Sequence, residues 1–193
     1  MSDGRLDAAA RLLADHLGLS SLRCSVIEAL IRPHHGGRTE LWFGQRDITI
    51  EISRTARETS PSALCVLAHE LSRKVLYDRG VHHEDLLHET LTDVAAVFLG
   101  FGKLLLNGYE HRSRHPGATG EMIGGQAHFG YLSPHEVAFT HAAVCNMRRA
   151  SHDDLTLGLS PFAHQIMNDV LSHPHLANCL SNVHMLAPSL TYR

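Results

Sequence analysis

Two short strings hold the residues of this chain best suited to chemistry: His69-Glu70-Leu71-Ser72-Arg73 and His88-Glu89-Thr90-Leu91-Thr92-Asp93. A metal site built on helices needs side chains that converge. Residues at i and i+4 share one helical face a turn apart, and a glutamate directly after the first histidine can reach a metal-bound water as general base. Position 73, four after His69, holds arginine, which has no lone pair to offer and stays protonated at any physiological pH.

The strings need two helices to carry them, and the pattern predicts both. Ser60-Pro61 begins the first, with serine as cap and proline at the first helical position, where its missing donor costs nothing. Leu64, Val66, Leu67, Leu71, Val75 and Leu76 carry it to about Tyr77, and Gly80 ends it. A polar connection containing His82, His83, Glu84 and Asp85 leads to a long apolar helix over residues 86–107. Leu91, Val94, Ala95, Phe98 and Leu99 make its middle apolar all round, as a central buried helix requires. Gly100 and Gly102 point to close packing there.

Ahead of the site, Leu6, Leu13 and Leu17 with Ala9 and Ala10 recur at helical spacing, and Gly18 supplies the stop. Residues 22–53 then read as three antiparallel strands: Cys24 to Ile31, Thr39 to Phe43 and Ile48 to Ile52, separated by Gly36-Gly37 and Gly44-Gln45. Ile48, Ile50 and Ile52 alternate with polar residues, so one face of that strand is buried. It reads equally as a plain structural strand or as an edge that pairs with an extended peptide. Residues 108–130, glycine-rich and without periodicity, read as a loop of the kind used for lids and binding segments. Ser133-Pro134-His135-Glu136 is a capping box opening a further helix, and Ser160-Pro161 starts another.

The strings and their setting resemble the gluzincins, the thermolysin-type zinc peptidases, over about residues 22–149. In that family a Glu-x-x-(Ser/Thr)-Asp string on a following helix supplies the third ligand, and Glu89-Thr90-Leu91-Thr92-Asp93 matches it at each specified position. The resemblance implies an α+β, zincin-like fold, mostly helical, with a small antiparallel sheet ahead of the site helix and a central buried helix. It implies His69 as a zinc ligand, Glu70 as general base, Glu89 as carboxylate ligand and Asp93 as the partner that orients His69. The second histidine ligand belongs at position 73.

Arg73 admits three readings. Its guanidinium pairs with Glu70 or Glu89 and stands in for the metal's charge; or it turns to solvent while His88, His82 or His83 completes a metal site; or it is an ordinary surface arginine. His141, on the helix after the long loop, is the candidate for steadying an oxyanion, against the alternative of a helix histidine with an ordinary hydrogen bond. Tyr131 is a second candidate for that role.

Composition sets the frame. With 193 residues, 44% hydrophobic and 19% charged, the chain is of a size for one domain over 1–193, and a formal charge of −3 gives no general pull toward nucleic acid. The 17 histidines are an outlier, and their protonation should swing the net charge positive below pH 7. Four dispersed cysteines form no Cys-x-x-Cys pair and read as buried free thiols of a reducing compartment. The early acidic residues argue against a secretory signal, and the apolar run from Val94 to Gly102 is about half a bilayer span. The expectation is a cytoplasmic, metallopeptidase-like protein with peptide or protein as ligand and no nucleic acid or membrane partner. Arg73 makes an inactive relative, with its zinc site degraded, the first reading and an active hydrolase with an altered ligand set the second.

Overall fold

The computed structural model describes residues 3–31, 36–81, 86–116 and 122–186. The chain opens with helix α1 (Asp3–His16). Its buried stripe is Leu6, Ala10 and Ala14, while Leu13 and Leu17 pack only partly against the core. Gly18, at φ +71°, turns the chain out of it.

Strands β1 (Arg23–Ala29), β2 (Gly37–Thr39) and β3 (Asp47–Ser53) form one sheet in the order β1-β3-β2. The alternation in β3 holds, with Ile48, Ile50 and Ile52 buried. The expected polarity does not: β1 runs parallel to β3, and β2 alone is antiparallel to it. Alternation reports which face of a strand is buried and is silent on the direction of its neighbour. Nor is β3 an edge, since it lies between the other two strands. The outer edge of β1 meets α1, where the Val26 N–H donates to Asp7 Oδ1 at 2.8 Å. The outer edge of β2 faces the site.

After the single turn α2 (Arg54–Arg57), helix α3 (Ser60–Asp78) runs beneath the sheet. Its cap is Thr59 rather than Ser60: the Thr59 hydroxyl accepts from the Ser62 N–H at 3.2 Å, and Pro61 sits in the first turn. Ala63, Leu67 and Leu71 are fully buried along its inner face.

The long apolar stretch is divided. Helix α4 (Leu86–Ala96) passes through a π-helical segment, Val97–Phe101, into α5 (Gly102–Gly108). Gly100 breaks the ladder at φ +100°, a conformation that L side chains rarely adopt. The break frees carbonyls that other elements then satisfy: Arg148 donates to Phe98 O, and His16 Nε2 donates to Leu99 O at 3.0 Å. Length and composition would let residues 87–108 cross a membrane, but half of the stretch is buried within the fold, against α3 and its neighbours. Gly108 permits that approach, because a Cβ there would lie 2.3 Å from Pro61 O.

Where a loop was expected, β4 (Glu110–Pro116) and β5 (Met122–His128) form an antiparallel hairpin. Helices α6 (Pro134–Met147), α7 (His152–Thr156), α8 (Pro161–Ser172) and α9 (Pro174–Leu186) complete the chain. Ser133 and Glu136 form the expected capping box. The architecture is mostly helical α+β with a small mixed sheet. The cysteines are free, but only Cys65 is buried; Cys24 and Cys145 are half-buried and Cys179 is exposed.

Candidate functional site

Helix α3 presents His69, Glu70 and Arg73 on one side, and α4 crosses it with Glu89 and Asp93 one turn apart. These five residues share a cleft of about 500 Å³ with β2 and the segment ahead of α6. Its apolar wall includes Leu30, Val66, Phe129 and Tyr131. The two strings of the sequence therefore meet in space.

Asp93 is the innermost group, 1% exposed. Its Oδ2 accepts from the backbone N–H of Tyr131 at 2.6 Å and of Leu132 at 3.0 Å, while Oδ1 takes His69 Nδ1 at 2.8 Å. Gly130 makes this possible: its φ is +122°, and a Cβ there would lie 3.3 Å from Asp93 Oδ2. With Nδ1 anchored, the ring aims Nε2 at Glu89 Oε2, 3.0 Å away. The Tyr131 ring lies over His69, centroids 6.0 Å apart.

Arg73 lies across the two glutamates. Nη2 stands 3.1 Å from Glu70 Oε2, Nη1 stands 3.5 Å from Glu89 Oε1, and Nη2 also donates to the carbonyl of Thr39 on β2. The guanidinium thus touches the residues that the resemblance makes general base and carboxylate ligand. It does not turn to solvent, its side chain being only 17% exposed.

These contacts fix the charges. Burial works against the His69 imidazolium, but the hydrogen bonds to Asp93 and Glu89 outweigh it and push its pKa up to about 10. For Glu89, burial favours the neutral acid, yet the hydrogen bond from His69 and the charges of His69 and Arg73 hold the group below the usual carboxylate range. Burial, reinforced by Glu89, Glu70 and Asp93, drives the Tyr131 phenol up to about 12. Tyr131 stays neutral and can donate.

The zinc ion that the resemblance implies would need His69 Nε2 and Glu89 facing it, with a third protein ligand. His69 Nε2 and Glu89 Oε2 do face each other at 3.0 Å, but position 73 supplies a guanidinium that lies against both glutamates in place of a third ligand. The residues present do not fit that ion. Among the described residues no group of three or more His, Cys, Asp or Glu side chains is placed to hold a metal.

The other expected residues fall elsewhere. His88 is buried in α4, its carbonyl accepting from Thr92 Oγ1, and it does not line the cleft. His82 and His83 lie outside the described residues. His141 is not brought to the cleft either: Nε2 donates to Leu155 O at 3.3 Å, and the ring packs on Gly102, where a Cβ would meet Nδ1 at 2.6 Å. Burial lowers its pKa, as befits a neutral core imidazole. Tyr131, by contrast, does line the cleft.

Sequence reasoning missed the roles of Thr39, Gly37 and the Tyr131 and Leu132 N–H groups, because three of the four act through backbone atoms. The Gly36-Gly37 pair was the available signal. A Cβ at Gly37 would lie 2.4 Å from Val66 Cγ1, so only glycine lets β2 lie against α3. No protein-family model, curated protein or solved structure matches this chain.

Proposed function

We propose that this is a metallopeptidase-like protein of the gluzincin type whose zinc site has been given over to Arg73, and that it binds peptide or protein in the former cleft without cleaving it. The observation that carries this reading is the single guanidinium in contact with both Glu70 and Glu89. Three carboxylates gathered for a divalent cation would be costly to leave unpaired, and a fixed cation one turn from His69 supplies part of the missing charge. The Asp93–His69 pair has the orientation that a ligand histidine and its partner would need, which supports descent of the site from a metal centre. The β2 edge supports the ligand class, since a strand edge beside a cleft suits an extended chain.

Metal content of untagged protein, purified without metal resin, tests the reading. The wild type is expected to hold essentially no zinc, and Arg73→His about one equivalent, with three protein ligands restored. About one zinc in the wild type, lost in Glu89→Ala, would overturn it in favour of a metal-dependent peptide hydrolase with a non-standard ligand set. Binding of peptide is tested by selection from a synthetic peptide library, where capture of no sequence above background would overturn it.

A further inference from the structure

The pairings around His69 and Arg73 leave one carboxylate poorly served. His69 has Nδ1 2.8 Å from Asp93 and Nε2 3.0 Å from Glu89. Ionised carboxylates only accept, so both ring nitrogens carry protons and the imidazole is a cation. His69 and Arg73 thus lie among three carboxyl groups. Asp93 is satisfied by His69 and two backbone N–H groups. Glu89 has His69 on one oxygen and Arg73 beside the other.

Glu70 receives least. It is 2% exposed, and its Oε2 is buried without a hydrogen bond, since Arg73 at 3.1 Å makes an ion pair but is not aligned to donate. Among the described residues none donates a hydrogen bond to Glu70. A buried charged group left in this state costs stability, and such groups are rare in folded proteins unless something else completes them. Glu70 also lines the cleft, and its Oε1 lies beside β2, 3.4 Å from where a side chain at Gly37 would begin.

The strand register says what can approach from that side. Gly36 O accepts from the Ser53 N–H at 2.8 Å, so Gly36 and Arg38 take the hydrogen-bonded positions opposite β3. The N–H and carbonyl of Gly37 and Thr39 then point to the outer edge. Thr39 O is taken by Arg73, which leaves Gly37 as the place where an incoming chain can pair. Such a chain would pair beside Glu70, whose Oε1 lies close to Gly37.

We propose that the cleft selects its ligands by a primary ammonium group seated on Glu70, either the terminal amine of a peptide or a lysine side chain. This rests on the reading above that the cleft binds peptide. The ammonium supplies hydrogen-bond donors to a buried carboxyl group to which no described residue donates one.

Two probes keep the two ideas apart. In the first, the full-length protein selects from synthetic heptapeptide libraries, one with free and one with acetylated N-termini. The expected result is preferential capture of free N-termini, or enrichment of lysine at one position in both libraries; the former assigns the terminal amine and the latter the side chain. Glu70→Gln, which keeps the shape and removes the charge, should weaken the selected peptides at least about tenfold, and acetylating the selected amine should do the same to the wild type. Peptides that bind equally with and without an ammonium, and equally to Glu70→Gln, would overturn the proposal and leave peptide binding standing.

The second probe is n-butylammonium, followed by shifts of the Gly37 amide and the Glu70 carboxyl carbon, with n-butanol as the neutral control. Shifts with the amine alone, but no peptide selected, would overturn the peptide reading and keep the ammonium site. No response to either probe would overturn both.

Discussion

The guanidinium of Arg73 donates to the carbonyl of Thr39, so the helix that bears the site is tied to the outer edge of its own sheet. The same group faces Glu70 and Glu89. Arg73→Met therefore removes three contacts at once, leaving Glu70 without its cation and Glu89 with His69 alone. The expected cost at pH 7 is about 2–4 kcal/mol, somewhat below the roughly 3–5 kcal/mol for removing one partner of a fully buried pair because Arg73 and Glu89 keep some contact with solvent. Amide exchange at Arg38 and Ser53, whose N–H groups join β2 to β3, should accelerate more than exchange in α6. Thermal melts and site-resolved hydrogen exchange check both, and an unchanged melt would mean that Arg73 is not held as described.

The His69 pairing makes stability depend on pH with a definite sign. The folded-state pKa is raised to about 10 from the ordinary imidazole value of 6.5, so between these values the folded protein binds a proton that the unfolded chain has released. The contribution is complete below about pH 6.5 and disappears as pH rises toward 10, at up to about 1.4 kcal/mol per pH unit. Glu89, whose pKa is lowered, acts oppositely: its contribution is present above the ordinary carboxyl value of 4.5 and is lost as pH falls below that. Urea melts across pH 4 to 10 should show a shoulder of stability between the two limbs, and His69→Asn should flatten the alkaline one.

Gly130 offers a test of how the histidine is aimed. Any L residue is strained at φ +122°, and a Cβ would press on Asp93 Oδ2 at 3.3 Å. Gly130→Ala should cost about 1–3 kcal/mol and loosen the two N–H bonds to Asp93. The informative reading is the nitrogen chemical shift of His69 Nδ1, which should move toward that of a free imidazolium; an unchanged shift with lowered stability would confine the effect to backbone strain.

Much of this arrangement was legible in the residues. The caps at Ser133 and Ser160, the stops at Gly18 and Gly80 and the alternation of β3 are local signals, each set by neighbours along the chain. The pairing of Arg73 with the glutamates followed from counting charges at a helical spacing. What was not legible depends on non-local backbone geometry. Parallel β1 and β3 leave the same alternation as antiparallel strands would. The hairpin of β4 and β5, in segments such as Glu110–Pro116 with its arginines and histidines, carries no two-residue apolar period to announce it. Gly100 looked like a packing glycine, whereas its φ of +100° marks a break in the helix.

His141 shows the same limit in a side chain, and it can be tested. Its place after the hairpin on α6 matched an oxyanion role, yet the fold turns it toward α5 and α7, with Nε2 donating to Leu155 O and the ring against Gly102. A group there acts on stability and not on the cleft. His141→Leu leaves the Leu155 carbonyl without its donor and should cost about 1–2 kcal/mol. In an Arg73→His background the same change should leave zinc stoichiometry and affinity unaltered. Asp93→Asn, which weakens the partner that orients His69, should lower zinc affinity about 10- to 100-fold. Zinc titrations of the two double variants make the comparison directly. If His141→Leu weakened zinc as much as Asp93→Asn does, the imidazole would have to reach the cleft, and its placement against Gly102 would be wrong.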